Sequence, residues 1–136
     1  MSEHILKRHN KTLLLYHLVF PLKYRRDAIT KDIGESLKNI CIGITVRYEI
    51  NFIEIGYEPD HVHFLVQSVP SMSVSNISMK LKSITAKELF RRHPELKVKL
   101  WGGNFWTSRY YANTVGQHAN EDVIRNYIEN HGKENK

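Results

Sequence analysis

The feature that most narrows the possible folds of this chain is a pair of strand-like segments separated by three residues. Asn51–Tyr57 and His61–Val69 are rich in β-branched, aromatic and alternating apolar residues, and Glu58-Pro59-Asp60 stands between them. Proline and aspartate are typical turn residues, because one presets φ and the other bonds its own backbone. The centre of the chain therefore predicts a β-hairpin.

A helix is predicted on each side of this hairpin. From about Thr30 to Tyr48 the apolar residues fall on one stripe and the charged residues face away. The segment from Val74 to Arg92 repeats this pattern and stops before Pro94, since the residue preceding a proline disfavours helical backbone. Such stripes are typical of helices that pack on a sheet.

Two further strands and a last helix complete the predicted fold. Lys11–Pro21 is apolar on both alternating faces, as in a central strand, and Phe105–Val115 is rich in aromatic and β-branched residues. Gly116 should break the latter strand, and a helix should run from Asn120 to His131. The order predicts an α+β fold, a ferredoxin-like or RRM-like βαββαβ antiparallel sheet with helices on one face plus an extra C-terminal helix.

Composition limits the broad class of the protein. The 136 residues predict a single domain, 1–136, with a flexible tail at residues 131–136. Cys41 is the single cysteine, so no intramolecular disulfide can form and a reducing cytoplasm is expected. No apolar stretch approaches the ~20 residues needed to span a bilayer, and the first residues lack the apolar segment of a signal peptide.

The charge balance favours an acidic partner. Lys and Arg number 20 against 14 Asp and Glu, a net charge of +6. A basic excess attracts nucleic acids because phosphate contacts release condensed counterions. The same charge also suits a merely well-solvated surface, so charge alone decides nothing.

The first sign of chemistry is His61-Val62-His63 within the predicted second hairpin strand. Side chains alternate across a strand, so both histidines project from one face while Val62 and Phe64 project from the other. Two imidazoles so placed can chelate one metal ion. A bare His-x-His is equally typical of half-exposed histidines on a sheet.

The second sign is Tyr127 followed four residues later by His131 on the predicted last helix. Residues at this spacing lie one above the other, about 5–6 Å apart at Cβ. Taken alone, Tyr127 is compatible with an aromatic residue at the edge of the core, and His131 with a favourable charge at a helix C-terminus. Together they offer a third metal ligand beside a phenol.

These signals resemble the single-tyrosine transposases of the insertion-sequence-200/605 type, which carry a His-hydrophobe-His (HUH) motif. Pro59–Leu65 (PDHVHFL) resembles that motif, and Tyr127–His131 (YIENH) resembles the catalytic tyrosine helix. The resemblance spans nearly the whole chain. In order and at the family's spacing it also includes Tyr16–Val19, Lys23–Arg26, Leu100–Trp106 and Ser108–Tyr111.

The resemblance implies a homodimeric enzyme that cleaves and rejoins single-stranded DNA at insertion-element ends, which it recognises as hairpins. Tyr127 would be the nucleophile and form a 5′-phosphotyrosine. His61, His63 and His131 would hold a divalent metal ion, Mg²⁺ or Mn²⁺, with no nucleotide cofactor. The tyrosine helix of one subunit would complete the partner's site. A cytoplasmic protein of a prokaryotic cell, bound to the nucleoid when on DNA, is expected.

One position departs from the family pattern. The family commonly has glutamine four residues after the tyrosine, where this chain has His131. An imidazole nitrogen is a softer ligand than an amide oxygen, so binding should shift toward Mn²⁺ relative to Mg²⁺. His17 and His118 are the other candidates for a third ligand.

Contacts to DNA are expected from basic and aromatic side chains outside these motifs. Cations suit phosphates, and aromatic rings stack on unpaired bases with about 1–3 kcal/mol each. Any one of them is also compatible with a solvated charge or a core aromatic. The candidates for phosphate contacts are Lys23, Arg25, Arg26, Lys80, Lys87, Arg91, Arg92 and Arg109, and those for stacking are Tyr24, Trp106 and Tyr110.

Two other classes of protein stay open at this point. A non-catalytic RRM-like nucleic-acid binder would need only the basic charge and the aromatic residues. A metal-dependent phosphodiesterase that activates water would need the histidines but not Tyr127. A covalent DNA–protein adduct would distinguish the tyrosine enzyme from both.

Overall fold

A computed structural model describes residues 14–69, 71–100 and 103–116 of the chain. Within these ranges a four-stranded antiparallel sheet has the strand order β2-β3-β1-β4. This is the order of a ferredoxin-like βαββαβ sheet, so the predicted fold class is confirmed. The elements are β1 (Leu14–Pro21), a 3₁₀ turn (Lys23–Arg25), α1 (Lys31–Arg47), β2 (Asn51–Glu58), β3 (His61–Ser68), α2 (Val74–Arg92), α3 (Glu95–Lys99) and β4 (Tyr111–Gly116).

One face of the sheet packs against α1 and α2. Every second residue of β1 and β3 enters the main core, including the fully buried Phe20 and Phe64, whose rings meet edge to face at 5.2 Å. The predicted apolar stripes of both helices lie in the same cluster. It contains Ile33, Leu37, Ile40, Cys41 and Ile44 from α1 and Ile77, Leu81 and Leu89 from α2.

The two long helices begin where side-chain caps are available. The hydroxyl of Thr30 accepts a hydrogen bond from the backbone N–H of Ile33 at 3.3 Å, and Ser73 accepts one from Asn76 at 3.0 Å. Each bond satisfies an N–H that the first helical turn leaves without a partner. The predicted start and end of α2 at Val74 and Arg92 are confirmed. The short helix α3 was not predicted.

The predicted start of the fourth strand is wrong. The strand was expected from Phe105, but it begins at Tyr111, and before it only Trp106 forms an isolated bridge, to Leu22. Phe105 and Trp106 are instead buried in the core, where burial of large aromatic surface outweighs the strand ladder. Gly116, expected to break the strand, is its last residue.

Other predictions fall partly or wholly outside the described residues. The first strand is described from Leu14 instead of Lys11, and the expected helix from Asn120 to His131 and the tail lie beyond the described ranges. No helix within the described ranges is long and apolar enough to cross a membrane.

Candidate active site and basic groove

The site is built on the sheet face opposite α1 and α2, named here the histidine face. His61 and His63 lie on it, both half-buried, while their neighbours Val62 and Phe64 are fully buried on the helix side. The predicted alternation is therefore confirmed. Both side chains project from one strand two residues apart, which suits a shared ion.

His61 is oriented by the residue before it. Its Nδ1 and Asp60 Oδ1 lie 2.9 Å apart. A carboxylate can only accept, so Nδ1 donates and a neutral His61 keeps its lone pair on Nε2. Carboxylate–histidine pairs of this kind orient metal ligands and raise their basicity.

His63 has a second histidine beside it. The ring of His17, on the neighbouring strand β1, meets the His63 ring edge to face with centroids 5.8 Å apart. His17 is only 7% exposed. The sequence singled out His17 as a substitute ligand, but its contact with His63 depends on the pairing of β1 with β3.

A complete metal site would need ligands beyond His61 and His63. Within the described ranges no group of three or more His, Cys, Asp or Glu side chains could hold a metal ion alone. His61 and His63 could supply two imidazole ligands, a chemistry that suits Mn²⁺ and other first-row ions. Tyr127, His131 and His118 lie outside the described residues.

A second feature is a groove of about 820 Å³ between α2, the 3₁₀ turn and the loop before β4. Its lining includes both basic and apolar side chains, among them Lys23, Tyr24, Met79, Lys82, Lys87 and Phe90. We name it the basic groove. Cations interleaved with exposed rings are the pattern of single-stranded nucleic-acid sites.

Tyr24 is the most unusual residue of the basic groove. Its φ is 60°, the only positive φ among the described non-glycine residues. The ring is 64% exposed, with the Lys23 ammonium 5.3 Å from its centroid. A tyrosine in the left-handed region is uncommon and such strain clusters at functional sites. The turn thus presents a ring instead of burying it.

Lys82 joins α2 to the loop before β4. Its ammonium donates to the carbonyl oxygens of Thr107 at 2.9 Å and Arg109 at 2.6 Å. The same ammonium lies 5.4 Å from the Phe20 ring centroid and 5.5 Å from that of Tyr110. Partial burial lowers the pKa of Lys82. Sequence reasoning missed this residue because nothing local separates it from Lys80 or Lys87.

Comparison with known proteins decides the family. The family described as "Transposase IS200 like" matches residues 10–131, nearly the whole chain. The chain belongs to the IS200-like transposase family. This membership confirms the resemblance and favours a transposase over a non-catalytic RRM-like binder or a water-activating phosphodiesterase.

Relatives of this transposase are similar over most of their length. The ISDra2 transposase TnpA of Deinococcus radiodurans is 35% identical over 122 residues, which cover 89% of this chain and 86% of that protein. The transposase for insertion sequence element IS200 of Salmonella typhimurium is 33% identical over 132 residues, covering 94% and 83%.

Solved structures share the fold of the transposase. A crystal structure of a Deinococcus radiodurans protein described as a transposase superposes with a TM-score of 0.71 at 32% identity, covering 87% of this chain and 90% of that one. The REP-associated tyrosine transposase bound to a REP hairpin superposes at 0.58 with 16% identity, covering 85% and 62%.

Some of the basic residues predicted to contact DNA line the basic groove and others do not. Lys23 and Lys87 line the basic groove. Arg26 and Arg109 are exposed, and nothing is described for the side chain of Arg25.

Three other predicted contacts are basic residues of α2 with partners on the protein. Arg91 and Arg92 pair with Glu88 at 2.8 and 3.6 Å. Lys80 lies with its ammonium 5.0 Å from the ring centroid of Tyr48.

Trp106, one of the predicted stacking residues, is largely buried. Its side chain is 5% exposed, its indole N–H donates to the Thr85 hydroxyl at 3.0 Å, and its ring packs on Phe105 at 4.6 Å. Trp106 lines the basic groove, but little of its ring surface is exposed there to an unpaired base. Trp106 therefore belongs to the core under the basic groove.

Proposed function

We propose that this transposase cleaves and rejoins single-stranded DNA through Tyr127. The observation that carries the proposal is the pair of same-face imidazoles on β3, one of them oriented by Asp60 at 2.9 Å, in a member of a transposase family. A Mg²⁺ or Mn²⁺ ion held by His61, His63 and His131 would act as a Lewis acid on the scissile phosphate.

The chain's own part of the chemistry is nucleophilic attack. The Tyr127 phenol gives up its proton as its oxygen bonds to phosphorus. The bond to the leaving 3′-oxygen breaks, and that oxygen takes up a proton. The product is a 5′-phosphotyrosine and a free 3′-hydroxyl. Because the phosphodiester's energy is kept in the new linkage, a second 3′-hydroxyl can attack it and reseal a strand without ATP.

Substrate recognition is proposed to use the basic groove. Lys23 and Lys87 offer phosphate contacts there, and the exposed Tyr24 ring offers a stacking surface. A relative in fold was solved bound to a REP hairpin, which supports hairpin DNA as the substrate of this chain too. Affinity should fall steeply with salt because phosphates dominate such contacts.

We further propose a homodimer with shared sites. Strand β4 lies at the edge of the sheet with most of its side chains exposed, Tyr111 to 57%. An edge strand is a surface on which a second copy can pair. Tyr127 and His131 would come from one chain and His61 and His63 from its partner.

The decisive experiment traps the covalent intermediate. Wild-type protein is incubated with a labelled hairpin substrate and Mn²⁺, then denatured and separated by gel electrophoresis. A labelled protein band is expected, and Tyr127→Phe should bind the hairpin but form no adduct. Cleavage by Tyr127→Phe at the wild-type rate, or undiminished wild-type cleavage in EDTA, would overturn the tyrosine or the metal part respectively.

A further inference from the structure

The His63 side chain lies over a glycine on the neighbouring strand. In the register of the sheet His63 faces Gly56 of β2 on one side and Val19 of β1 on the other. A Cβ atom built on Gly56 would overlap the Nε2 and Cε1 atoms of His63. The imidazole therefore occupies the space that any other residue at position 56 would fill.

The other side of the same ring is bounded by His17. The two ring planes meet at 63° with centroids 5.8 Å apart, and His17 is nearly fully buried. His17 itself has little room to move, because a packed interior transmits a displacement instead of absorbing it. The His63 ring thus lies between a bare Cα on β2 and an enclosed ring on β1.

We propose that Gly56 and His17 are positioning residues that hold the His63 imidazole in one orientation for metal binding. His61 donates a hydrogen bond to Asp60, and the His63 ring is enclosed between Gly56 and His17. Two imidazoles on one strand can meet the same ion only if both rings are directed toward it. The effect on metal binding rests on the proposed function, whereas the contact between His63 and Gly56 does not.

The ring contact is tested in the metal-free protein. NMR should show nuclear Overhauser contacts between His63 ring protons and the α-protons of Gly56. These contacts do not depend on metal or on catalysis. Their absence from assigned spectra would overturn the proposal.

The consequence for the metal is tested with Gly56→Ala. Its overlap involves the end of a side chain, so the imidazole can rotate away while the sheet is retained. Direct Mn²⁺ binding, followed by electron paramagnetic resonance, should weaken about tenfold, the scale of effects from residues that orient ligands. Hairpin binding without metal should be unchanged.

The chain offers a matched control at Gly43. A Cβ there meets nothing within 4 Å, so Gly43→Ala makes the same chemical change in open space on α1. It should leave Mn²⁺ binding unchanged. Equal Mn²⁺ affinity in Gly56→Ala and Gly43→Ala would overturn the role of Gly56.

His17→Phe separates positioning from ligation. Phenylalanine keeps a ring at the contact but has no nitrogen, so a folded His17→Phe protein should retain Mn²⁺ binding. Loss as complete as in His63→Ala would make His17 a ligand and overturn its positioning role. If the wild-type protein binds no Mn²⁺, the proposed metal chemistry is refuted. The NMR contact between His63 and Gly56 in the metal-free protein then tests the positioning of the ring by itself.

Discussion

At the scale of single residues, Asp60 determines which nitrogen of His61 can face a metal ion. Its carboxylate accepts from Nδ1 at 2.9 Å, so Nε2 of the neutral ring carries the lone pair. Removing the carboxylate lets both tautomers and several ring orientations compete. In the proposed metal site the pair would therefore contribute through preorganisation, without Asp60 having to touch the metal.

Asp60→Ala should raise the Mn²⁺ concentration for half-maximal cleavage by about 10–100-fold, the range found when partners of metal ligands are removed. For Asp60→Asn, whose amide oxygen can still accept from Nδ1, the Mn²⁺ concentration for half-maximal cleavage should lie between those of Asp60→Ala and wild type. Asp27→Ala, at an exposed aspartate, is the control for lost negative charge. Indistinguishable metal curves for Asp60→Ala and Asp27→Ala would contradict the assigned role.

How far these residues could be predicted depends on the range of the interaction. The common face of His61 and His63 follows from strand alternation alone, and the structure confirms it. The contacts of His63 with Gly56 and His17 could not be predicted, because they depend on strand register and on a side-chain rotamer. The burial of Trp106 could not be predicted for a similar reason, since burial under α2 is a property of the assembled fold.

At the scale of elements, the sequence indicated the types of the four strands and the two long helices in the described ranges better than their ends, and it missed the short helix α3. Helix α2 was predicted at both ends because Ser73 caps it and Pro94 follows it. The start of β4 was wrong because strand propensity in residues 105–110 yields to aromatic burial and to Lys82. That ammonium holds the carbonyl oxygens of Thr107 and Arg109 in a loop.

Lys82 and Lys87 should therefore have different effects on DNA binding. Lys87→Met removes an exposed groove cation, so the slope of log K against log salt should fall by about 0.7 if it contacts one phosphate of a single strand. Lys82→Met should weaken hairpin binding by loosening the loop but leave the slope unchanged. Fluorescence anisotropy over a salt series measures both. A slope change for Lys82→Met equal to that of Lys87→Met would identify Lys82 as a phosphate ligand.

At the scale of the whole molecule, Cys41 reports on global unfolding. It lies in the main core at 1% exposure, and burial raises the pKa of its thiol from 9.0 to about 12. The Cys41 thiol therefore ionises at a lower pH in the unfolded chain than in the folded chain. Above the unfolded value the unfolded state binds fewer protons, so Cys41 contributes a loss of stability as pH rises from 9 toward 12.

The free energy of unfolding should accordingly fall more between about pH 8 and about pH 10 in wild type than in Cys41→Ala, by at most about 1.4 kcal/mol per pH unit above the unfolded pKa. Urea titrations at both pH values measure the difference, and comparing the two proteins cancels all other titrating groups. In the folded protein the thiol should also resist alkylating reagents. Equal pH dependence in both proteins would show that the thiol ionises as easily when folded.

The arrangement of subunits gives the last prediction. In the proposed dimer each site combines Tyr127 and His131 of one chain with His61 and His63 of its partner. A heterodimer is prepared from one Tyr127→Phe chain and one chain carrying both His61→Ala and His63→Ala. Sharing unites the intact tyrosine of the second chain with the intact histidines of the first, so one site of two works and cleavage should recover to roughly half of wild type, by counting sites.

Sites built within single chains predict the opposite result. Each chain of this heterodimer then lacks either the nucleophile or the histidine pair, and cleavage stays at the background of the two parental homodimers. The two chains carry different affinity tags, and purification over both tags in turn removes homodimers from the assay. Background activity from a verified heterodimer would refute sharing and leave the tyrosine chemistry intact. Recovery would require the tyrosine helix, predicted after Gly116, to reach the partner's histidine face, because no other pairing of the remaining groups makes a complete site.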